Sequence, residues 1–219
     1  MEKSEVRARI EEIGIIPAVR LADTAHAQYA AEAVNRAGIP IVEITMTVPG
    51  AVDLIAELAR SLPEMIVGAG TVLDRDTAHR CIDAGARFIT SPGLVFEVVE
   101  FAVKKGVVVF PGALTPTDVI AAWKAGADFV KIYPCAQVGG PSYIRALKIP
   151  LPQVPLIASG GVNQQTATNF ILAGASALGV GSELIPHEAL RRRHEEQIGE
   201  LARRFLSMVK EAREQKNGR

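Results

Sequence analysis

The stretch Phe129-Val130-Lys131-Ile132-Tyr133-Pro134 places a single lysine in the middle of a short apolar run. It follows Ala125-Gly126, a pair typical of a helix end, and it stops at a proline, so it predicts a buried strand. Alternate side chains of a strand share a face, and Lys131 therefore points the same way as Phe129 and Tyr133. A buried ammonium must be paired, become neutral, or lie at the open end of its strand. Alternatively, its stem is packed and its charged head reaches solvent.

The pattern around this strand recurs along the chain. A small or basic residue and a glycine precede an apolar run at Gly38, Gly85, Gly106, Gly126 and Gly174. Each instance is typical of a helix that ends in a glycine cap and is followed by a buried strand. The two longest gaps each hold two strand–helix units, so the series predicts parallel strands joined by crossover helices.

Eight such units predict a single (β/α)8 TIM barrel, which we assign to one domain over residues 1–219. The barrel spans about 13–185, after a short N-terminal helix and before a C-terminal helix over about 187–214. We expect Ile198, Leu201, Phe205 and Met208 to dock that last helix on the barrel, although a coiled-coil contact is an alternative. The predicted strands cover residues 15–20, 39–45, 65–71, 88–91, 107–110, 129–134, 156–159 and 177–180.

An open doubly wound sheet is the alternative fold. It would carry a glycine-rich fingerprint after the first strand. The sequence there is Arg20-Leu21-Ala22-Asp23, which is no such fingerprint, and the barrel is favoured.

Composition excludes several classes of protein. The 219 residues are 48% hydrophobic and 22% charged, with a formal net charge of zero. No broad basic surface for nucleic acid or anionic lipid is implied, so we expect neither a nucleic-acid partner nor a membrane partner. Two cysteines make no disulfide framework, and we find neither a signal peptide nor a spanning segment. These features predict a cytoplasmic protein.

Polar residues cluster at the predicted carboxyl ends of the strands, which is where TIM barrels carry their catalytic groups. Glu43 and Lys131 form either a buried salt bridge or a catalytic pair. In the second case an amine nucleophile beside a proton-carrying carboxylate indicates Schiff-base chemistry on a carbonyl. The glycine turns after the last two strands predict a phosphate site. The strand ends include Arg20, Glu43, Thr45, Thr71, Thr90, Pro92, Lys131, Ser159, Gly160, Gly161, Gly181 and Ser182.

Other reactive side chains are poorer candidates. All four histidines fall on predicted helices or in the tail, so we expect no metal ligand set and no cofactor. Cys135 has no evident histidine partner and is expected to be a packed residue. Tyr133 shares a face with Lys131, and we expect it to form part of the pocket wall.

Taken together, the motifs resemble the 2-keto-3-deoxy-6-phosphogluconate (KDPG) aldolase / 4-hydroxy-2-oxoglutarate (KHG) aldolase family. The similarity spans about Ile13 to Ile185 and is specific because so many motifs occur in order. They are IPAVR, VEITMTVPGA, VGAGTV, FITSPG, FPGALTPTD, FVKIYPC, ASGGVN and LGVGSEL. The resemblance implies a metal-free class I aldolase on a TIM barrel, acting on a small 2-keto acid and assembled as a homotrimer.

The resemblance also implies roles for individual residues. Lys131 corresponds to the Schiff-base lysine and Glu43 to the general acid/base, while Arg20 and Thr71 correspond to groups near the pyruvate carboxylate. Pro92 corresponds to a wall of the pocket. The phosphate cradle corresponds to Gly160, Gly161, Gly181 and Ser182, next to Ser159, which stands where many members carry threonine. Two further departures are Thr47, where some members carry arginine, and Tyr133, where many carry phenylalanine.

Two other functions remain as alternatives. One is a phosphate-binding barrel isomerase or synthase that uses Glu43 as a base and Lys131 only as an electrostatic partner, and forms no imine. The other is a non-catalytic oligomeric scaffold, which would not need an intact Lys131–Glu43 pair.

Overall fold

A barrel of parallel strands forms the centre of the computed structural model. The structure describes residues 1–218, with Asn217 described by its backbone alone. The segments pair in the order β5-β4-β3-β2-β1-β9-β8-β7-β6. Because β5 and β6 follow each other directly in the chain, this order closes into the predicted (β/α)8 barrel. The segments are β1 (Ile15–Val19), β2 (Ile41–Thr45), β3 (Ile66–Gly70), β4 (Phe88–Thr90), β5 (Val108–Phe110), β6 (Gly112–Ala113), β7 (Val130–Ile132), β8 (Leu156–Ser159) and β9 (Ala175–Val180).

The fifth predicted strand is longer than the sequence indicated and is divided at Pro111. Its first piece, β5, pairs with β4, and its second piece, β6, pairs with β7. Proline cannot donate a ladder hydrogen bond, but its carbonyl still accepts one from the Lys131 amide at 2.9 Å. The Pro-Gly pair therefore ends one pairing and begins the other instead of forming a turn.

Helices surround the strands, and polar side chains cap several of them. Asp23 caps α2 by accepting hydrogen bonds from the Ala25 and His26 amides. Asp74 accepts a hydrogen bond from the Thr77 amide at 2.7 Å and caps α4. The helices up to the last strand are α1 (Lys3–Ile13), α2 (Thr24–Arg36), α3 (Ala51–Ser61), α4 (Arg75–Asp83), α5 (Phe96–Lys104), α6 (Pro116–Lys124), α7 (Pro141–Lys148) and α8 (Ala167–Leu172).

The prediction of a single C-terminal helix over 187–214 is wrong, because the structure has two helices there. These are α9 (His187–Arg191) and α10 (Glu195–Asn217). Arg193 lies between them with φ 49°, a left-handed conformation that interrupts a helix. The docking of the last helix is confirmed, since α10 packs on α8 and α2. Its buried face differs from the predicted one and consists of Ile198, Ala202, Phe205, Val209 and Ala212.

Two apolar layers hold the barrel. Outward-facing strand residues pack under the surrounding helices, while a separate cluster fills the N-terminal half of the barrel interior. Helix α1 closes that end by burying Val6 and Ile10 against the interior cluster. Among residues 1–218, no helix combines the length and apolar character that crossing a membrane requires.

Candidate active site

Lys131 and Glu43 meet inside the barrel, above the apolar cluster. Lys131 lies on β7 and Glu43 on β2, and the Lys131 Nζ donates a hydrogen bond to Glu43 Oε2 at 3.4 Å. Lys131 is 7% exposed and Glu43 is 2% exposed, so both charged groups are largely removed from water. A buried pair of this kind costs much of its attraction in desolvation and is therefore weak evidence for a stabilising role. Its position at the carboxyl ends of the strands favours chemistry.

Glycines provide the space that the pair occupies. A Cβ on Gly70 of β3 would lie 2.0 Å from Glu43 Oε1, and one on Gly68 would lie 2.2 Å from the Phe88 ring. Real Cβ atoms do not approach other heavy atoms this closely. The glycines of the VGAGTV motif thus admit the Glu43 carboxylate to the interior.

Hydroxyl groups tie the strand ends together around this pair. The Thr45 hydroxyl donates to the Val19 carbonyl at 3.1 Å, and the Thr90 hydroxyl donates to the Phe110 carbonyl at 2.7 Å. Both threonines are fully buried. These strand-end hydroxyls fix the backbone at the rim, so their structural role accounts for their polarity.

A cavity of about 390 Å³ opens at the same end of the barrel. It brings together six predicted site residues, which are Arg20, Ser159, Gly160, Gly161, Gly181 and Ser182. Tyr133 also lines the cavity, as expected, and its ring centroid lies 5.7 Å from the Lys131 Nζ. Lys131 and Glu43 do not line this cavity themselves, but the Tyr133 ring both lines it and lies beside Lys131.

The turn after β8 has a backbone that only glycine adopts readily. Gly160 and Gly161 have φ values of 84° and 82°. A Cβ on Gly161 would lie 2.2 Å from the Ala136 Cβ. Successive amides in such a turn form a concave donor surface suited to an anion.

Thr71 and Pro92 lie at the ends of β3 and β4 and do not line the cavity that holds Arg20. Thr71 has φ 60°, which is strained for a β-branched residue. A Cβ on Gly112 would lie 2.1 Å from the Pro92 carbonyl oxygen, so Pro92 packs closely on the strand that pairs with β7. Both residues are thus placed at the rim, on the side of Glu43 and Lys131.

Sequence reasoning overlooked two ionisable residues of the cavity. Glu183 and His187 both line it. Glu183 belongs to the LGVGSEL motif, whose glycine turn was already assigned to the phosphate site, so this signal was available. His187 was assigned to the tail, and only the position of α9 beside the barrel mouth brings it to the cavity.

Neither cysteine has the surroundings of a nucleophile. Burial raises the pKa of the Cys135 thiol to about 12, and burial raises that of Cys81 to about 11. A thiol with such a pKa is protonated at neutral pH and is unreactive. Within residues 1–218 no group of three or more histidine, cysteine or acidic side chains is placed to hold a metal ion.

Comparison with known sequences identifies close similarity. A sequence model of the KDPG and KHG aldolase family matches residues 6–201. The KHG/KDPG aldolase of Escherichia coli (strain K12) is 29% identical over 196 residues, which cover 90% of this chain and 92% of that protein.

Solved structures agree with the sequence comparison. The KDPG aldolase of Legionella pneumophila, with pyruvate captured at low pH as a covalent carbinolamine intermediate, superposes with a TM-score of 0.83 at 28% identity. That match covers 90% of this chain and 96% of the other. A cube-shaped protein cage, designed by fusing symmetric oligomeric domains, matches with a TM-score of 0.85 at 30% identity, covering 94% of this chain and 76% of the other.

Proposed function

The chain belongs to the KDPG and KHG aldolase family, and from this premise we propose how it works as a class I aldolase, a carbon–carbon lyase. It cleaves KDPG, KHG or both to pyruvate and an aldehyde, which is glyceraldehyde 3-phosphate or glyoxylate. The observation that carries the assignment is the buried Lys131 Nζ at 3.4 Å from Glu43 Oε2. An amine nucleophile with a carboxylate in contact is the minimal apparatus for imine chemistry.

Lys131 begins the reaction by passing a proton to Glu43 and attacking the C2 carbonyl of the substrate. The carbinolamine then takes this proton back, loses water and becomes a protonated imine. As the C3–C4 bond breaks, its electron pair moves toward the imine nitrogen, and the C4 hydroxyl proton passes to Glu43 or to a water held by it. The aldehyde departs, the enamine takes a proton at C3, and hydrolysis releases pyruvate and regenerates the lysine.

The substrate's two ends bind at different parts of the rim. Thr71 and Pro92 border the position of the pyruvyl group, beside the reacting pair. The phosphate occupies the cradle formed by Gly160, Gly161, Gly181 and Ser182, where backbone amides donate hydrogen bonds to an anion. Ser159 lies at the start of this cradle.

Arg20 supplies a positive charge to the same cavity. It resembles a group near the pyruvate carboxylate, and it lines the cavity together with the glycine turns. This position lets the guanidinium attract either anionic end of the substrate as it enters.

The alternatives are not favoured. A barrel isomerase or synthase would use Lys131 only as an electrostatic partner of Glu43, and the family match to aldolases favours the imine-forming role instead. A non-catalytic scaffold would have no reason to bury both charges, because a buried ion pair adds little to stability.

The proposed assembly is a homotrimer. Three large apolar side chains follow neighbouring strands on one side of the barrel and are well exposed, namely Leu73 (55%), Phe96 (53%) and Leu114 (36%). An apolar surface of this kind is typical of an interface between subunits. Light scattering should give three times the chain mass of 23.4 kDa, and a Phe96→Glu variant should give a smaller particle.

The proposed location is the cytoplasm. Both cysteines are free and buried, which suits a compartment where thiols stay reduced. Fractionation of cells that express the tagged full chain would place it, and recovery from a secreted fraction would contradict the proposal.

Trapping of the imine is the decisive test of the proposed function. Pyruvate and borohydride should leave a reduced pyruvyl adduct, and peptide mapping should locate it on Lys131. A Lys131→Arg variant is the matched control, because it keeps the positive charge and cannot form the imine. A folded wild-type protein without any adduct would favour the isomerase or scaffold.

A further inference from the structure

Tyr133 occupies the wall between the reacting lysine and the phosphate cradle. It lies two residues after Lys131, in the turn that follows β7, and it lines the cavity. The Lys131 Nζ lies 5.7 Å from the centre of the Tyr133 ring. The ring also borders the first glycine turn, since a Cβ on Gly160 would lie 3.2 Å from Tyr133 Cδ2. The ring therefore borders both the reacting lysine and the phosphate cradle.

The Tyr133 hydroxyl has no hydrogen-bond partner within residues 1–218, although the residue is half-buried and lines the cavity. Tyr143 shows the contrasting arrangement, because its hydroxyl donates to the Leu114 carbonyl. Among the residues that the structure describes, no fully buried side-chain oxygen or nitrogen lacks a partner, so the Tyr133 hydroxyl is open to solvent at the cavity. The polar group of Tyr133 is thus left free beside a cavity built for a hydroxylated acid.

We propose that the Tyr133 phenol donates a hydrogen bond to the C4 oxygen of the substrate during cleavage. This proposal rests on the aldolase function assigned above. Imine formation fixes C2 at Lys131, and the glycine turns fix the phosphate on C6. The middle of the chain must then pass Tyr133, which borders both.

The chemistry at C4 gives the hydrogen bond its purpose. The C4 hydroxyl loses its proton to Glu43 or its water, the C3–C4 electron pair moves into the imine, and the oxygen becomes the carbonyl of the leaving aldehyde. Negative charge develops on this oxygen as the proton leaves. A donor aimed at it stabilises the transition state more than the ground state, and Tyr133 itself is neither oxidised nor deprotonated.

The test is a Tyr133→Phe variant, which keeps the ring and removes only the donor. We expect kcat/KM for cleavage of both KDPG and KHG to fall by about 10- to 100-fold, at or below the effect of removing one oxyanion donor. Pyruvate has no C4 oxygen. Its borohydride trapping on Lys131, and the exchange of its methyl protons in D2O followed by NMR, should therefore stay within about twofold of wild type.

Tyr143→Phe is the matched control, since it makes the same chemical change outside the cavity and should leave cleavage at the wild-type rate. Wild-type cleavage by Tyr133→Phe would overturn the proposal. So would an equal loss in the pyruvate reactions, which would mean that the ring positions Lys131. A loss for KDPG alone would also overturn it and place the contact beyond C4. Failure of wild-type protein to trap pyruvate would instead contradict the aldolase function itself.

Discussion

The same strands form a packed apolar interior at the N-terminal end of the barrel and an open polar interior at the C-terminal end. At the N-terminal end, α1 inserts Val6 and Ile10 into a cluster of isoleucine and phenylalanine side chains. Phe110 stacks on Phe88 with ring centres 5.0 Å apart and meets Phe129 edge-on at 6.2 Å. At the C-terminal end the interior holds a lysine, a glutamate and glycines, with an open cavity beside them. One end is packed to exclude ligands, and the other is kept open to accept one.

The two ends of the barrel also differ in the hydrogen bonding of one polar side chain at each end. Arg213 of α10 reaches the N-terminal end and donates to the carbonyls of Glu11, Glu12 and Ser176, the last at 3.0 Å. Burial lowers the pKa of this guanidinium, and its hydrogen bonds go to backbone groups of the fold. At the C-terminal end the Tyr133 hydroxyl keeps its bonding capacity for a substrate. The fold thus uses the donors of Arg213 at the closed end, whereas the Tyr133 hydroxyl at the open end is left without a partner in the part of the chain that the structure describes.

Along a strand, the packed interior and the site are only two residues apart. Inward side chains alternate with outward ones, so each strand contributes a lower and an upper interior position. On five strands the lower position is apolar and the upper one is polar or small. The pairs are Ile41 and Glu43, Ile66 and Gly68, Phe129 and Lys131, Ile157 and Ser159, and Ala177 and Gly179. Strand β5 differs, because Val108 and Phe110 both belong to the apolar cluster.

Removal of the reacting amine of Lys131 should have the largest effect on the open end of the barrel. Lys131→Met should lower turnover by more than about 10⁴-fold, because no other nucleophile is in place. It should also cost about 3–5 kcal/mol of unfolding free energy, since Glu43 is left buried without its cation. Urea unfolding and a coupled assay measure both quantities.

A double variant sharpens this result. Lys131→Met combined with Glu43→Gln removes both charges and should regain most of the lost stability without regaining turnover. Recovery of activity in the double variant would contradict the assigned roles.

Gly70→Ala tests whether the upper glycines exist to admit the carboxylate. The new Cβ would lie 2.0 Å from Glu43 Oε1, so Glu43 must leave its contact with Lys131. We expect kcat to fall by about 10²-fold or more, within the range of lost general acid–base catalysis. Gly199→Ala on α10 is the control, because it meets only the flexible end of Arg203. Full activity of Gly70→Ala would show that Glu43 need not stay where the structure puts it.

Ile10→Ala tests the closed end. Ile10 is completely buried under the barrel, and truncation should cost about 2–5 kcal/mol of unfolding free energy. In folded protein, kcat should remain at the wild-type value, because the apolar cluster separates α1 from the reacting pair. Ser4→Ala, at an exposed position of the same helix, should change neither quantity. A fall in kcat for Ile10→Ala would mean that the two ends are coupled.

The smallest expected effect is on stability below pH 3.8, through a helix cap at the open end of the barrel. Asp118 accepts hydrogen bonds from the Thr115 and Leu114 amides at the start of α6, and these amide donors, with that of Thr115 foremost, lower the pKa of Asp118 from 3.8. A lowered pKa in the folded state means that the stabilisation is full above pH 3.8 and is lost as the pH falls below that value through the folded pKa.

The urea midpoint of wild type should therefore fall slightly more steeply below pH 3.8 than that of Asp118→Asn, which cannot titrate. Equal slopes would show that this cap makes no contribution that depends on pH.

Much of this protein is determined by its sequence alone. Glycine caps at regular spacing fix the parallel strand–helix series, because a left-handed cap residue is costly for any residue with a side chain. Alternation puts Lys131 on the same strand face as Phe129 and Tyr133, and Glu43 and Ser159 fall near the carboxyl ends of their predicted strands. The closure of eight such strands then brings their carboxyl ends to one rim, and the family resemblance agrees with this reading.

Only the tertiary structure decided the remaining features. The division of the fifth strand at Pro111 depends on which neighbour each piece pairs with, and no local pattern carries that information. The break at Arg193 and the arrival of His187 at the cavity depend on how α9 and α10 pack on the barrel. The free Tyr133 hydroxyl is likewise visible only in three dimensions, because a missing hydrogen-bond partner is a property of everything that surrounds the group.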